Sequence, residues 1–268
     1  MAARLAIFIL ISSFISLCYA QDLKNLPSAD FSSMHRAQPS EVVDVVSPLT
    51  VLLRNGTIVQ LSGIDIPNSY GEEISPLAVS ARDILKDMLS SQKVSIYQSQ
   101  DKELGRINRM GHVLAHLARK DDGAWAQGTL LALGLARVKT THATSGMLND
   151  MLELEKIARN ANRGIWADQS YRVFSPDMAE DVIGEFAIIE GRIHSVALKK
   201  NRIYINFGKN WRDDFTVSIA PEDKRAFSKA KLDPLGWGGK IIRVRGSIRS
   251  YNGPYMEINH PAAIEFID

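Results

Sequence analysis

The sequence predicts a mainly β protein with interspersed helices, an α+β chain in two parts. Short β-branched runs bounded by Asn-Gly turns recur along it, three stretches between residues 75 and 161 carry apolar residues at helical spacing, and strand-like runs return from Phe186 onward. A length of 268 residues is enough for two modest cores. With 45% hydrophobic and 23% charged residues, the balance is that of an ordinary soluble globular protein. The formal net charge of +2 permits contact with nucleic acid but does not argue for it.

Residues 1–20 read as a secretory signal. Arg4 supplies a short positive start, residues 5–17 form an apolar run, and Cys18 and Ala20 are small at the two positions a signal peptidase reads, so Gln21 begins the mature chain. The run is too short to span a bilayer comfortably, and Leu17 is bulky where a lipoprotein signal wants a small residue. No stable membrane anchor is therefore expected after cleavage. Cys18 is the only cysteine, so the mature chain would lack thiols, disulfides and cysteine metal sites, and its stability must come from the cores.

Residues 21–40 are polar, rich in Ser, Pro and Gln, and read as a linker. A strand-and-helix domain is expected over 41–170. Val42-Val43 and residues 50–53 are β-branched or apolar, Asn55-Gly56 reads as a two-residue hairpin turn, and residues 57–65 are the partner strand. Ser75-Pro76 opens a helix, the serine as cap and the proline where its missing N–H costs nothing. Leu77, Ala81, Leu85 and Met88 give that helix a buried face. Residues 94–97 and 111–117 read as strands. Residues 125–133 form a helix ending at Gly134, and 147–161 another, with Met151, Leu152 and Ala158 in its apolar stripe and Gly164 as its stop.

A polar connector containing Pro176 follows over 171–183, and 184–268 is a second, all-strand part. Residues 186–196, 202–207 and 215–219 are strand-like, 221–229 is a short helix, and 241–248 with 255–258 form a hairpin about Asn252-Gly253. Three strands, a helix and two strands suit a second small OB-like barrel.

Five pieces of sequence carry a family resemblance: Val-Val-Asp at 42–44 with Thr-Val-Leu-Leu at 50–53, Val-Gln-Leu-Ser-Gly-Ile-Asp-Ile-Pro at 59–67, Met-Gly-His-Val-Leu-Ala-His-Leu at 110–117, Leu-Leu-Ala-Leu-Gly-Leu-Ala-Arg-Val at 130–138 and Ala-Asn-Arg-Gly-Ile-Trp at 161–166. In this order they make the stretch from 41 to 168 resemble the staphylococcal-nuclease (thermonuclease-like) family. The resemblance implies an OB-like five-stranded barrel with helices and a calcium-dependent phosphodiesterase. Calcium wants six to eight oxygens, so two carboxylates and a carbonyl hold it against the phosphate. A glutamate orients or activates water, and two arginines clamp the phosphate.

Position by position, most of that chemistry is overwritten. The family's Asp-Gly-Asp-Thr motif aligns with Ser47-Pro48-Leu49-Thr50, so Leu49 replaces a metal carboxylate, and Asp44 survives upstream out of register. Asp65 retains the other carboxylate. Gln60 stands for the first clamp arginine, Asn68 for the glutamate and His112 for the second arginine. Leu49 offers no side-chain oxygen, Asn68 cannot take a proton, Gln60 is uncharged, and His112 is a part-time cation near neutral pH. Losing one oxyanion-type donor costs about a hundred- to a thousandfold in rate, so the family reaction and its calcium cofactor are expected to be absent.

Other readings of the same residues stand beside this one. Asp65 is a remnant metal ligand or the cap of the turn before Pro67. His112 and His116 fall on one strand face and form a metal pair with Asp65, or are surface histidines. Glu72 and Glu73 replace the missing base or belong to a solvated loop. An active metal-dependent phosphodiesterase with a rebuilt site is thus one alternative, and an envelope protein-interaction module another. In the second part, Arg202, Tyr204, Trp211, Arg243 and Arg245 are candidate nucleic-acid contacts, since basic grooves with stacking aromatics hold single strands on OB barrels. The bland reading is that Ile203 and Phe207 fill the barrel and the charges solubilise it, with Asp213 and Asp214 diluting the positive stripe. This block is similar to a C-terminal module appended to bacterial nuclease-like domains, which implies a secreted or periplasmic bacterial setting.

Overall fold

The computed structural model describes residues 26–70, 74–102, 105–140, 146–210 and 212–267. The expected signal at 1–20 with Cys18, the start of the linker, Glu72, Glu73 and Trp211 lie outside the described residues. Contacts divide the chain into two compact units, one built on residues up to Val138 with Gly146–Ala167, the other chiefly on the chain from Asp168 on.

The first unit is a closed barrel. Its elements are β1 (His35–Ser47), β2 (Thr50–Leu53), β3 (Ile58–Leu61), β4 (Ile64–Asp65), α1 (Pro76–Leu89), β5 (Lys93–Gln98), β6 (Val113–Arg119), α2 (Ala126–Ala132), β7 (Arg137–Val138) and α3 (Leu148–Asn160). Five strands close in the order β1-β2-β3-β6-β5, with β3 and β6 parallel. The first half of β1 pairs with β5 and the second half with β2, so the strand must bend, and it does so through register shifts between Ala37 and Ser40, Val42 and Asp44, and Val45 and Ser47.

The start of β1 corrects the linker reading of 21–40. Residues 35–40 are strand, and Phe31 and Met34 before them are buried in the core. Residues 35–40 are polar because none of their side chains is fully buried, and Pro39 falls within a register shift, where a missing ladder donor is tolerated. The turn after β2 is also longer than expected. Leu53 donates to Thr57 O at 2.9 Å, leaving Arg54, Asn55 and Gly56 in the loop, and only Gly56 has positive φ, at +80°. That is a three-residue turn with glycine in the left-handed position.

The helices dock as their apolar spacing requires. Ser75 caps α1 by accepting from Ala78 N at 3.1 Å, and Ala78, Ala81, Leu85, Met88 and Leu89 face the core. Gln127 of α2 is fully buried, donating to Ala115 O at 2.8 Å and accepting from Leu117 N at 3.3 Å, which ties the helix to β6. Behind α2, Gly134 and Gly164 meet backbone to backbone. A Cβ on either would come within 2.2 Å of a carbonyl oxygen, and both have positive φ, so only glycine fits.

The second unit holds β8 (Val173–Phe174), β9 (Phe186–Arg192), β10 (Ser195–Lys199), β11 (Arg202–Asn206), β12 (Thr216–Ile219), α4 (Lys224–Lys229), β13 (Ile241–Ser250), β14 (Pro254–Glu257) and β15 (Ile264–Ile267). The sheet runs β10-β11-β12-β14-β13-β9-β8, with β15 beside β13 and β12 parallel to β14. Only Ile193 and His194 separate β9 from β10, and their N–H groups bond Lys240 O at 2.8 Å and Asn206 O at 2.9 Å. The two are halves of one strand, which brings the ladder back to its start in an OB-like order. The run 186–196 read as one strand is therefore broken at its bend. The expected connector is not a loop: β8 pairs with β9, and Phe174, Ala179 and Val182 are buried. A Cβ on Gly191 would sit 2.4 Å from Pro176, so the connector presses directly on β9.

Candidate functional site

In the first unit, the positions where the resemblance places chemistry take part in packing, hydrogen bonds and one ion pair. Leu49 sits in the turn between β1 and β2 and is 3% exposed, a member of the barrel core. Its carbonyl accepts from Leu61 N at 2.9 Å, and its N–H donates to Ser47 Oγ at 3.2 Å. A carboxylate there would need rebuilding of the core, not a change of one surface atom. Asp44 is exposed on β1 and accepts from Val45 N at 2.8 Å. It lies beside a register shift and away from the turn that carries Leu49.

Gln60 on β3 pairs with Thr50 of β2 and Leu114 of β6. Its Oε1 accepts from Asn108 Nδ2 at 2.6 Å, and Asn108 Oδ1 in turn accepts from His112 N at 3.0 Å and Met110 N at 2.9 Å. The Gln60 side chain and the His112 backbone N–H thus meet at one amide, with Asn108 as a hub that the sequence did not single out. Asn68 is exposed with φ of 51°, and its carbonyl accepts from Ser75 N at 3.0 Å just before α1. The left-handed backbone suits asparagine better than glutamate.

Asp65 is neither a bare ligand nor a simple turn cap. Arg137 Nε donates to Asp65 Oδ2 at 3.0 Å, across the β4–β7 pair, with side chains 8% and 17% exposed for Arg137 and Asp65. Next to it, Glu155 of α3 is buried, accepting from Val138 N at 2.6 Å and Arg159 Nη1 at 3.0 Å. These ionic contacts join β4, β7 and α3. His116 is not a surface histidine but wholly buried: Trp125 Nε1 donates to its Nδ1 at 3.3 Å, and it packs near Phe31 and Trp125. Burial pushes its imidazole down to about 3, so it stays neutral.

Among the described residues, no three His, Cys, Asp or Glu side chains converge as metal ligands. With Leu49 in the core and Asp65 held by Arg137, the described donors do not fit a calcium ion, which wants several oxygens at one point.

In the second unit, the proposed nucleic-acid contacts separate into two groups. Arg243 on β13 is ion-paired with Glu190 at 2.6 Å and Glu265 at 3.6 Å, while Arg245, 2% exposed, is bonded to Glu265. These arginines brace β9, β13 and β15. Arg202 and Tyr204 lie on the outward face of β11, where Arg202 is held by Glu257 and by Ser218 Oγ at 3.1 Å. Tyr204 lines a cavity of about 260 Å³ with Tyr251 and Tyr255. Tyr251 follows β13 directly and Tyr255 lies on β14.

The first barrel has the closed five-strand order of an OB-like, nuclease-type fold. Residues 58–168 match the family model of staphylococcal nuclease homologues, so this part of the chain is similar to that family. The match begins after the turn that carries Leu49, although β1 and β2 belong to the same barrel. No curated protein matches the chain.

Proposed function

We propose that this protein is a secreted, nuclease-fold binding or scaffolding protein that has lost phosphodiesterase chemistry, with single-stranded nucleic acid as its ligand. The observation that carries the reading is Leu49, packed in the core where a metal carboxylate would stand. The ion pair of Asp65 with Arg137 and the neutral Gln60–Asn108 amide pair point the same way, since neither offers a phosphate the cation it needs. They also weigh against a rebuilt metal site around Asp65 and His112. The signal at 1–20 supports export to a bacterial periplasm or medium. Among the described residues, no helix is long and apolar enough to cross a membrane.

The test is cleavage. Purified protein incubated with single- and double-stranded DNA and RNA in calcium, manganese or zinc should leave the substrates intact. Metal-dependent digestion that vanishes in Asp65→Asn, a variant that keeps an acceptor for Arg137, would overturn the reading.

A further inference from the structure

Resting on the reading of this protein as a binder, we infer that the second barrel holds one nucleotide unit of single-stranded nucleic acid in a tyrosine-walled pocket outside β10, β11, β12 and β14. Strand alternation sets the face: Ile203, Ile205, Val217, Ile219 and Met256 point into the core, so Tyr204, Asn206, Thr216 and Tyr255 point outward. Outward side chains of a barrel ordinarily meet solvent, yet Thr216 is only 6% exposed and Tyr255 8%. The face is therefore recessed.

Its floor is small and polar. Thr216 Oγ1 donates to Asn206 Oδ1 at 3.3 Å, and Asn206 Nδ2 donates to Ser195 Oγ at 3.3 Å. Its walls are aromatic. Tyr251 is 61% exposed and stands edge-on to Tyr255 at 5.3 Å between ring centroids, and Tyr204 lines the same cavity. Among the described residues, the side chains of Tyr204 and Asn252 make no hydrogen bond.

The wall is also fixed in advance. Gly253, at φ +87°, lies against the backbone of Asp213, where a Cβ would come within 2.8 Å of the carbonyl oxygen. The turn carrying Tyr251 and Asn252 is thereby pinned to the loop between β11 and β12. Asp213 and Asp214 are spent within that loop, Asp214 Oδ2 accepting from Asn210 N at 2.6 Å and Asp213 from the Asn210 amide. Binding to a preformed wall forfeits little ordering entropy.

The chemistry favours a nucleotide over a neutral sugar. About 260 Å³ holds one base with part of its ribose, below the usual range for larger ligands. Base faces stack on tyrosine whatever the sequence. Lys199 at the rim and Lys200 next to it supply positive charge for a phosphate, while Glu257, the carboxylate of this face, is engaged by Arg202.

The test uses the purified chain, a fluorescein-labelled 15-mer of deoxythymidine and its ribo-counterpart, read by anisotropy at low salt and at moderate salt. Binding should weaken with salt, and Tyr204→Ala and Tyr251→Ala should each lower affinity about tenfold, while Tyr251→Phe retains it. Tyr251 is exposed at a turn tip, so its replacement leaves the core intact, and circular dichroism checks this. Oligonucleotide binding unaffected by either alanine would overturn the pocket while sparing the binding role. Binding by a panel of neutral oligosaccharides alone, sensitive to Tyr204→Ala, would make this a sugar site and overturn it too. No ligand at all would remove both this inference and the reading on which it rests.

Discussion

Both barrels run the same ladder. The first strand pairs with the second and with the fourth, and the third lies parallel to the fifth: β3 with β6 in one, β12 with β14 in the other. In the first barrel the long strand stays continuous through three register shifts. In the second it snaps into β9 and β10 at Ile193-His194. Their surfaces differ more than their frames. The first places Leu49 in its core and pairs Asp65 with Arg137, whereas the second keeps an open, tyrosine-lined recess and spends Arg243 and Arg245 on bracing. A shared strand order therefore says where strands go and leaves the chemistry to whatever side chains occupy its faces.

The sharpest test of this contrast is burial of a charge in each barrel. Leu49→Asp should destabilise the first barrel by about 4 kcal/mol or more, because a carboxylate enters a site that is 3% exposed. Leu198→Asp on β10, where the leucine is 50% exposed, should change stability by only about 0.5 kcal/mol. Urea unfolding measures both, and equal effects would break the distinction.

Next come the ion pairs. Asp65→Ala strips the buried Arg137 of an acceptor and should cost about 3 kcal/mol, and Glu265→Ala should do the same to Arg245 in the second barrel. Arg54→Ala, which removes the exposed partner of Glu41, should cost about 0–1 kcal/mol. A small effect at Asp65 would reopen its reading as a ligand free to hold metal.

The last test is a pH slope that His116 gives the first barrel. The His116 imidazole is held down at about 3 when folded and returns to its ordinary value of about 6.5 on unfolding. The unfolded chain thus binds the extra proton first. The stabilising contribution is complete above about pH 6.5 and shrinks as pH falls towards 3, by up to about 1.4 kcal/mol per unit. His116→Leu should lower stability at neutral pH by stranding the Trp125 N–H, yet flatten this slope. Denaturation midpoints at pH 7.5 and 4.5 for both proteins check the sign.

Much of the frame was legible because it depends on local patterns. Ser75-Pro76 announces the start of α1, and alternation along residues 202–206 and 216–219 announces two strands. Residues 35–40 hid their strand behind polar side chains, because one face of β1 looks outward and Pro39 sits where the ladder is interrupted. β15 went unread, four residues at the end of the chain whose partner strand lies some twenty residues upstream. At the candidate site, the residue types at Leu49, Gln60, Asn68 and His112 were legible, but not what surrounds them. The hub role of Asn108 was not, since nothing in its neighbourhood of sequence points to Gln60, 48 residues away.

Sequence by itself determined the family likeness of the first barrel, its helices, and which residue types stand at Leu49, Gln60, Asn68 and His112. Those are properties of residue type at a given spacing, so they survive without coordinates. Tertiary structure decided that Asp65 is paired with Arg137, that His116 is buried and neutral, that Arg243 and Arg245 are engaged by glutamates, and that three tyrosines share one recess. Each depends on partners from distant strands, and whether a charge is free or spent is fixed only when those partners arrive.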